Sequence, residues 1–284
     1  MSSSEIRLST AGAPAARPLI VEFIGTPGSG KTTLSTELVA LLRQRGIEAA
    51  TILGAARDHA GRTPPGRAIE RFAPPSVRRS LLWQLFCLLG TVYAFGFTRD
   101  HFALTRHVVR AQLGRAIRGR TLAHILFWFF QLGGRYRFLT ATAMPCRTLV
   151  LDDGFLHRSV HLAASHAEEP DAEWVASYVD LLPRPDLVIL TIAGRDQCER
   201  RVRERGVWNH SRQLSAEQLS RYLSNAERVV RLAVRRARDR GWAVVEIANE
   251  SRGTDGVMPA LTSAAELLIA VGSLDGQPGR RGLK

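Results

Sequence analysis

Lysine is nearly missing from this chain: of its 39 basic residues only Lys31 and Lys284 are lysines, and all the others are arginines. The formal charge of +13 and sequence pI of about 11.0 therefore read as a chain-wide arginine bias rather than one binding patch. Cysteine is also scarce. Cys87, Cys146 and Cys198 are odd in number, far apart and in no CxxC pairing, which argues against a disulfide framework and a zinc ribbon and points to a reducing, cytoplasmic compartment. Residues 1–17 are rich in Ser, Ala and Pro but hold no continuous apolar core, so a mobile tail is expected there instead of a signal peptide. The end of the chain, 273–284, has the same tail chemistry. Internal repeats are missing, as are a recognition-helix signature, an RNA-binding aromatic motif, a zinc module and a nucleophile elbow. No specific nucleic-acid partner and no triad hydrolase are expected.

What is present is a globular composition, 45% hydrophobic over 284 residues, enough for a sizeable core. Five short apolar runs have strand length: residues 19–24, 47–53, 148–151, 187–192 and 242–247. Helix-patterned segments separate them. Leu34, Leu38, Leu41 and Leu42 recur at helical spacing before Gly46, and Ser215 with Gln218 fits a capping box opening a run that ends at Arg240 and Gly241. The alternation predicts an α/β fold of three layers, a doubly wound parallel five-stranded sheet, over residues 18–272. Residues 76–145 form a long helical insertion between strands two and three. Within it, Ser80–Thr98 carries no charged residue over a length that could cross a bilayer. A buried helix pair is the expected reading, with contact at a membrane surface or a true span as alternatives. The second apolar run, 121–134, is too short to span.

The stretch GTPGSGKT satisfies G-x-x-x-x-G-K-[ST] at Gly25, Gly30, Lys31 and Thr32, with a strand before it and a helix after it. Phosphate oxygens need donors converging from one side. Glycines let the backbone of Gly25, Thr26, Pro27, Gly28, Ser29 and Gly30 curl so that its N–H groups face inward, and the helix N-terminus at Lys31, Thr32 and Thr33 adds partial positive charge. Lys31 is expected on the β and γ phosphates of ATP and the Thr32 hydroxyl on Mg²⁺. TLVLDDG, 148–154, is an apolar strand ending in two carboxylates at the ligand edge of such a sheet. Asp152 is expected as a metal ligand. Asp153 would orient or deprotonate an acceptor hydroxyl, or help hold metal and substrate.

Together these residues resemble the P-loop kinases of the nucleoside and nucleotide kinase group, most closely the thymidylate kinase-like branch. The resemblance implies an acceptor-phosphate arginine after strand two, for which 56–71 offers Arg57. The family's third strand ends in Asp-Arg-Tyr or similar; LDDGFLHR places Asp153 at the Asp and Gly154 at the Arg, with Arg158 one turn on as a substitute charge. GRDQCERRVRERG, 194–206, looks like the family's lid entry. Arg201 and Arg205 share one helix face there and would close over the transferring phosphoryl group. Residues 206–214 would be the lid, with Trp208, His210 and Arg212 as nucleotide contacts. His157 and His161, four apart, could meet one metal, but no third ligand accompanies them at a recognisable spacing.

The expected function is transfer of the γ-phosphoryl of ATP-Mg²⁺ to a small acceptor, a nucleotide or nucleoside. Two other readings are kept: a kinase for an amphiphilic or non-nucleotide metabolite near a membrane, and a nucleotide-dependent switch without an acceptor. A homodimer is left open.

Overall fold

The computed structural model describes residues 17–114, 119–141, 147–165, 167–205, 214–250 and 255–275. Five parallel strands form one sheet in the order β2-β3-β1-β4-β5. They are β1 (Leu19–Gly25), β2 (Ala49–Thr51), β3 (Thr148–Leu151), β4 (Leu187–Ile192) and β5 (Val244–Ala248). β1 lies at the centre and is buried along its whole length, as expected of a strand covered on both faces.

Alternation along β1 divides the core. Val21 and Phe23 join a cluster with Leu34, Leu38 and Leu42 of α1 (Lys31–Gln44) and Leu261, Ala264 and Leu268 of α11 (Met258–Asp275). Ile20 and Ile24 face the other way, with Phe155, Leu156 and Val160 of α7 (Phe155–Ala163), Val175 and Val179 of α8 (Ala172–Leu181) and Val229 of α10 (Ala216–Asp239). The result is the three-layer, doubly wound α/β fold that the alternation predicts, with helices on both faces of a parallel sheet. Because the chain leaves β1 between β3 and β4, the carboxyl ends of β1 and β3 open onto the crevice where such sheets take ligands. The α10 capping box forms: the Gln218 N–H donates to Ser215 Oγ at 3.2 Å, and the Ser215 N–H donates to Gln218 Oε1 at 2.9 Å.

The helical insertion is larger than 76–145. Helices α2 (Ile52–Arg62), α3 (Pro64–Phe72), α4 (Pro75–Asp100), α5 (Phe102–Leu113) and α6 (Gly119–Ala141) fill the connection from β2 to β3. They begin at once because Thr51 and Thr63 each cap a helix, Oγ1 accepting from the N–H of Gly54 and Gly66 at 3.2 and 3.3 Å. The domain edges shift as well. Arg17 belongs with the fold, its guanidinium reaching both Asp186 carboxylate oxygens at 2.6 and 3.1 Å, and α11 runs past 272 to Asp275.

Residues 80–98 do not form a buried pair. They lie within the single helix α4, of which one face is buried through Phe86, Gly90, Ala94 and Phe97. That face packs against α6 at backbone contact: a Cβ on Gly134 would lie 1.7 Å from the Gly90 carbonyl oxygen, and one on Gly133 would lie 2.4 Å from the Phe97 ring. Phe97 stacks on Phe155 with centroids 5.2 Å apart, tying the insertion to the end of β3.

Candidate functional site

The phosphate loop leaves β1 at Gly25 and enters α1 at Lys31. Gly28 and Gly30 have φ of 86° and 98°, the left-handed region that glycine adopts without penalty. Neighbours press on both. A Cβ at Gly28 would lie 2.5 Å from the carbonyl oxygen of Cys198, on α9 (Arg195–Arg205), and one at Gly30 would lie 2.2 Å from Asn249 Nδ2. Asn249, buried just past β5, donates from Nδ2 to the Ser29 carbonyl at 2.7 Å. The loop is thus clamped between α9 and the end of β5. Lys31 is buried and folds across its own loop, Nζ donating to the carbonyls of Gly25 and Thr26 at 2.9 and 3.2 Å. Thr33 is exposed in the first turn of α1.

The other wall comes from β3. Asp152 follows β3, and Thr32 in the first turn of α1 is near enough to act on its carboxyl; these are the two residues expected to share a metal ion. Burial and the neighbouring Asp153 charge raise the Asp152 carboxyl above its ordinary value, while the Thr32 hydroxyl works against that rise. A hydroxyl and a carboxylate beside a phosphate cradle are the hard oxygen donors that suit Mg²⁺.

Asp153 lies beside them in a different setting. Arg158 Nη2 donates to its Oδ2 at 2.7 Å, and His161 Nε2 stands 3.5 Å from its Oδ1. Burial works against the Asp153 charge, yet the Arg158 guanidinium and a hydrogen bond from His161 hold the carboxyl well below the usual carboxylate range. A carboxylate so stabilised is a weak base and a good hydrogen-bond acceptor. Asp153, His157 and His161 each turn one ligand-type atom into a space where these atoms lie within 4.8 Å of one another. The third ligand lacking in the histidine spacing is therefore Asp153, supplied across the β3–α7 turn. Two cations, Arg158 on Asp153 and Lys31 close to both imidazoles, oppose a further cation there. Burial lowers both histidines, His157 well below its ordinary value, with Lys31 adding to the effect.

Gly154 has a physical reason. The Glu22 side chain leaves β1 toward the start of α7 and accepts the Phe155 and Leu156 N–H groups at 3.2 and 2.7 Å. A Cβ on Gly154 would fall 2.8 Å from the Glu22 carboxyl carbon and 2.9 Å from Leu151 Cβ. An arginine at this position would displace a buried helix cap. Burial raises Glu22 to about 7, against the pull of its two backbone hydrogen bonds.

Other expected residues fare differently. Arg201 Nη1 donates to the Gly28 carbonyl at 3.2 Å, so the first lid arginine does meet the phosphate loop. Arg205 ends α9, and its side chain lies outside the described residues, as do 206–213 with Trp208, His210 and Arg212. Arg57 is exposed on α2 and makes no hydrogen bond or ion pair among the described residues. Arg158 is buried and serves Asp153 rather than standing free. Three residues had escaped sequence reasoning: Glu22, Asn249 and Arg135. Arg135 is a buried guanidinium on α6, 4.3 Å from the Phe86 ring centroid. Burial lowers it, Arg158 pushes the same way, and Cys87 and Asp153 oppose. A charged residue within an otherwise apolar strand, as Glu22 is, was the one signal available.

An open cavity of about 430 Å³ lies at the start of α9 and just past β5, lined by Gly194, Arg195, Asp196, Gln197, Arg200 and Glu250. A second, of about 380 Å³, lies at the start of β2, at the opposite end of the sheet from the phosphate loop.

No family model and no curated protein matches the chain. Among solved structures it is similar to deoxyadenosine kinase from M. mycoides with bound dCTP, at 11% identity and a TM-score of 0.41, covering 89% of this chain and 100% of that one. The same enzyme with the products dCMP and a flexible dCDP gives 13%, 0.43, 89% and 100%. With bound dATP it gives 12%, 0.42, 87% and 98%. Likeness this distant adds nothing to the sheet order and site geometry described above.

Proposed function

We propose that the chain is a phosphotransferase that moves the γ-phosphoryl group of ATP to a small acceptor, a nucleotide or nucleoside. The observation that carries this reading is that the phosphate loop leaves β1 beside β3, whose end brings Asp152 and the Asp153–Arg158 pair, 2.7 Å apart, to the same sheet edge. A loop that only gripped phosphate would not need two carboxylates and a buried arginine on the adjoining strand end.

In this reading the backbone N–H groups of Gly28, Gly30 and Lys31 hold the β and γ phosphates, and the Lys31 ammonium leaves its own loop carbonyls to meet them. Thr32 and Asp152 would hold Mg²⁺, which neutralises phosphate charge when bound. Arg201 is poised at Gly28 to follow the charge that migrates during transfer. The cavity along Gly194, Gln197 and Glu250 takes the base of the nucleotide. Asp153, held ionised, accepts a hydrogen bond from the acceptor and orients it.

The buried Arg135 guanidinium near Asp153 favours an acceptor that itself carries an anionic group, as a nucleoside monophosphate does. Gly154 separates the site from the thymidylate kinase pattern, because the guanidinium of that pattern has no room beside Glu22. The cytoplasm is the proposed place of work. The test is ADP formation from ATP-Mg²⁺ with a panel of nucleosides and monophosphates. Stimulation by one class names the acceptor, and a rate equal with and without every acceptor removes the proposal.

A further inference from the structure

The helix α4 is the longest apolar element of the described residues, yet only 22% of its most apolar 18-residue window is buried. A core helix would be covered. At 100° per residue, Val77, Leu81, Leu88, Val92 and Phe95 fall within about 60° of one another, one straight stripe about 27 Å long. All five are exposed, Phe95 to 78%. Phe72 and Phe102, just beyond the two ends of the helix, extend the apolar surface, with Phe72 75% exposed. An uncovered patch of this kind marks an interaction site.

The charges around the stripe select the occupant. Beside the stripe stand Arg71, over the Phe72 ring, and Arg78 and Arg99, about 100° and 40° from Val77 around α4, and residues 63–113 hold only two carboxylates, Glu70 and Asp100. Asp100 is already engaged by Arg99 and Arg137 at 3.2 and 2.8 Å. Pairing this face with itself across a two-fold axis would set arginine against arginine with no row of carboxylates to answer them. An anionic bilayer supplies both partners at once: acyl chains for the stripe and phosphate groups for the guanidiniums. The opposite face of α4 sits on α6 and Phe155 through Gly90 and Phe97, so the helix cannot leave the protein to span.

We infer that α4 is a membrane-surface helix, lying in the plane of an anionic lipid headgroup layer with Leu88, Val92 and Phe95 inserted and arginines such as Arg71 and Arg99 on phosphate. This inference does not depend on the proposed kinase activity, and its test uses no nucleotide.

The experiment is flotation of the full chain with phosphatidylcholine vesicles, with and without phosphatidylglycerol, at low and high salt. Wild-type protein is expected to float with the phosphatidylglycerol vesicles and to be released by salt. Leu88→Ser with Phe95→Ser should weaken binding at least about tenfold through lost apolar insertion. Arg71→Glu with Arg99→Glu should weaken it and flatten its salt dependence. Thermal melts of all variants should match wild type, because the altered side chains are exposed. Wild-type protein that stays in the buffer, or that binds both vesicle types equally, overturns the inference. So does sedimentation equilibrium revealing a dimer that Phe95→Ser splits, since the stripe would then be a contact between copies.

Discussion

The two regions that meet at the crevice are built on opposite plans. The phosphate-loop side is a sheet whose central strand is covered on both faces, with backbone groups, Lys31 and Asn249 converging on one loop. The insertion from α2 to α6 buries only its inner surface and turns a long apolar stripe outward. On the first side, position is fixed by contacts the chain makes with itself. On the second, the chain leaves a surface that calls for something else to cover it. A region proposed to hold a triphosphate to within tenths of an ångström would gain from clamping, whereas a docking surface needs only to be presented.

That contrast can be broken at several points. The largest effect is expected from Lys31→Ala, which removes the ammonium from the loop: phosphotransfer should fall by at least about a hundredfold, read as ADP release, and near-normal turnover would detach the loop from the function. Next comes a pair of substitutions on α4. Phe97→Ala, which empties a fully buried site, should cost about 3–5 kcal/mol of unfolding free energy, while Phe95→Ser, two residues earlier on the exposed stripe, should cost within about 0.5 kcal/mol. Equal losses in chemical denaturation would mean that the outer face is packed after all. Gly154→Ala should cost about 1–3 kcal/mol through crowding of Glu22 and Leu151, and an unchanged melt would show that the cap yields freely.

The fourth prediction concerns pH. Burial keeps His157 and His161 neutral, with folded values below the ordinary 6.5. Their contribution to stability is therefore present above about pH 6.5 and lost as pH falls below it. Glu22 acts in the other direction: raised to about 7 from 4.5, it favours the folded state increasingly as pH falls through that interval. Melting temperatures measured from pH 7.5 to 4.5 should then fall less steeply for His157→Gln than for wild type, and more steeply for Glu22→Gln. The reverse order would contradict the burial assigned to these groups. The smallest effect is expected from Asn249→Ala, about 1 kcal/mol from one lost hydrogen bond, checked by thermal shift with an ATP analogue.

How much was legible in the sequence follows from how local each feature is. The strands, the phosphate loop and the capping box at Ser215 depend on near neighbours, and the structure places them close to where the pattern put them. The approach of β3's end to the phosphate loop was readable as well, since β1 and β3 are neighbours in the sheet. Glu22 and Gly154 were not, because the reason for that glycine lies 132 positions earlier in the chain, on another strand. Asn249 is likewise a partner across 220 positions. For α4 the composition showed an uncharged run, but composition cannot say which face a neighbour covers; Gly90 and Gly134 decide that by letting two helices touch. The start of the insertion at residue 52 was missed because Thr51 and Thr63 act as caps inside a stretch that also reads as a phosphate motif.

The central claim is that the γ-phosphate held by this loop is handed to an acceptor. Its most direct test is ADP release by purified protein with ATP-Mg²⁺ across a panel of nucleosides and nucleoside monophosphates, with Lys31→Ala as the control. The account predicts a rate that rises several-fold or more with one acceptor class and vanishes in the variant. Turnover that is the same with and without every acceptor would contradict it.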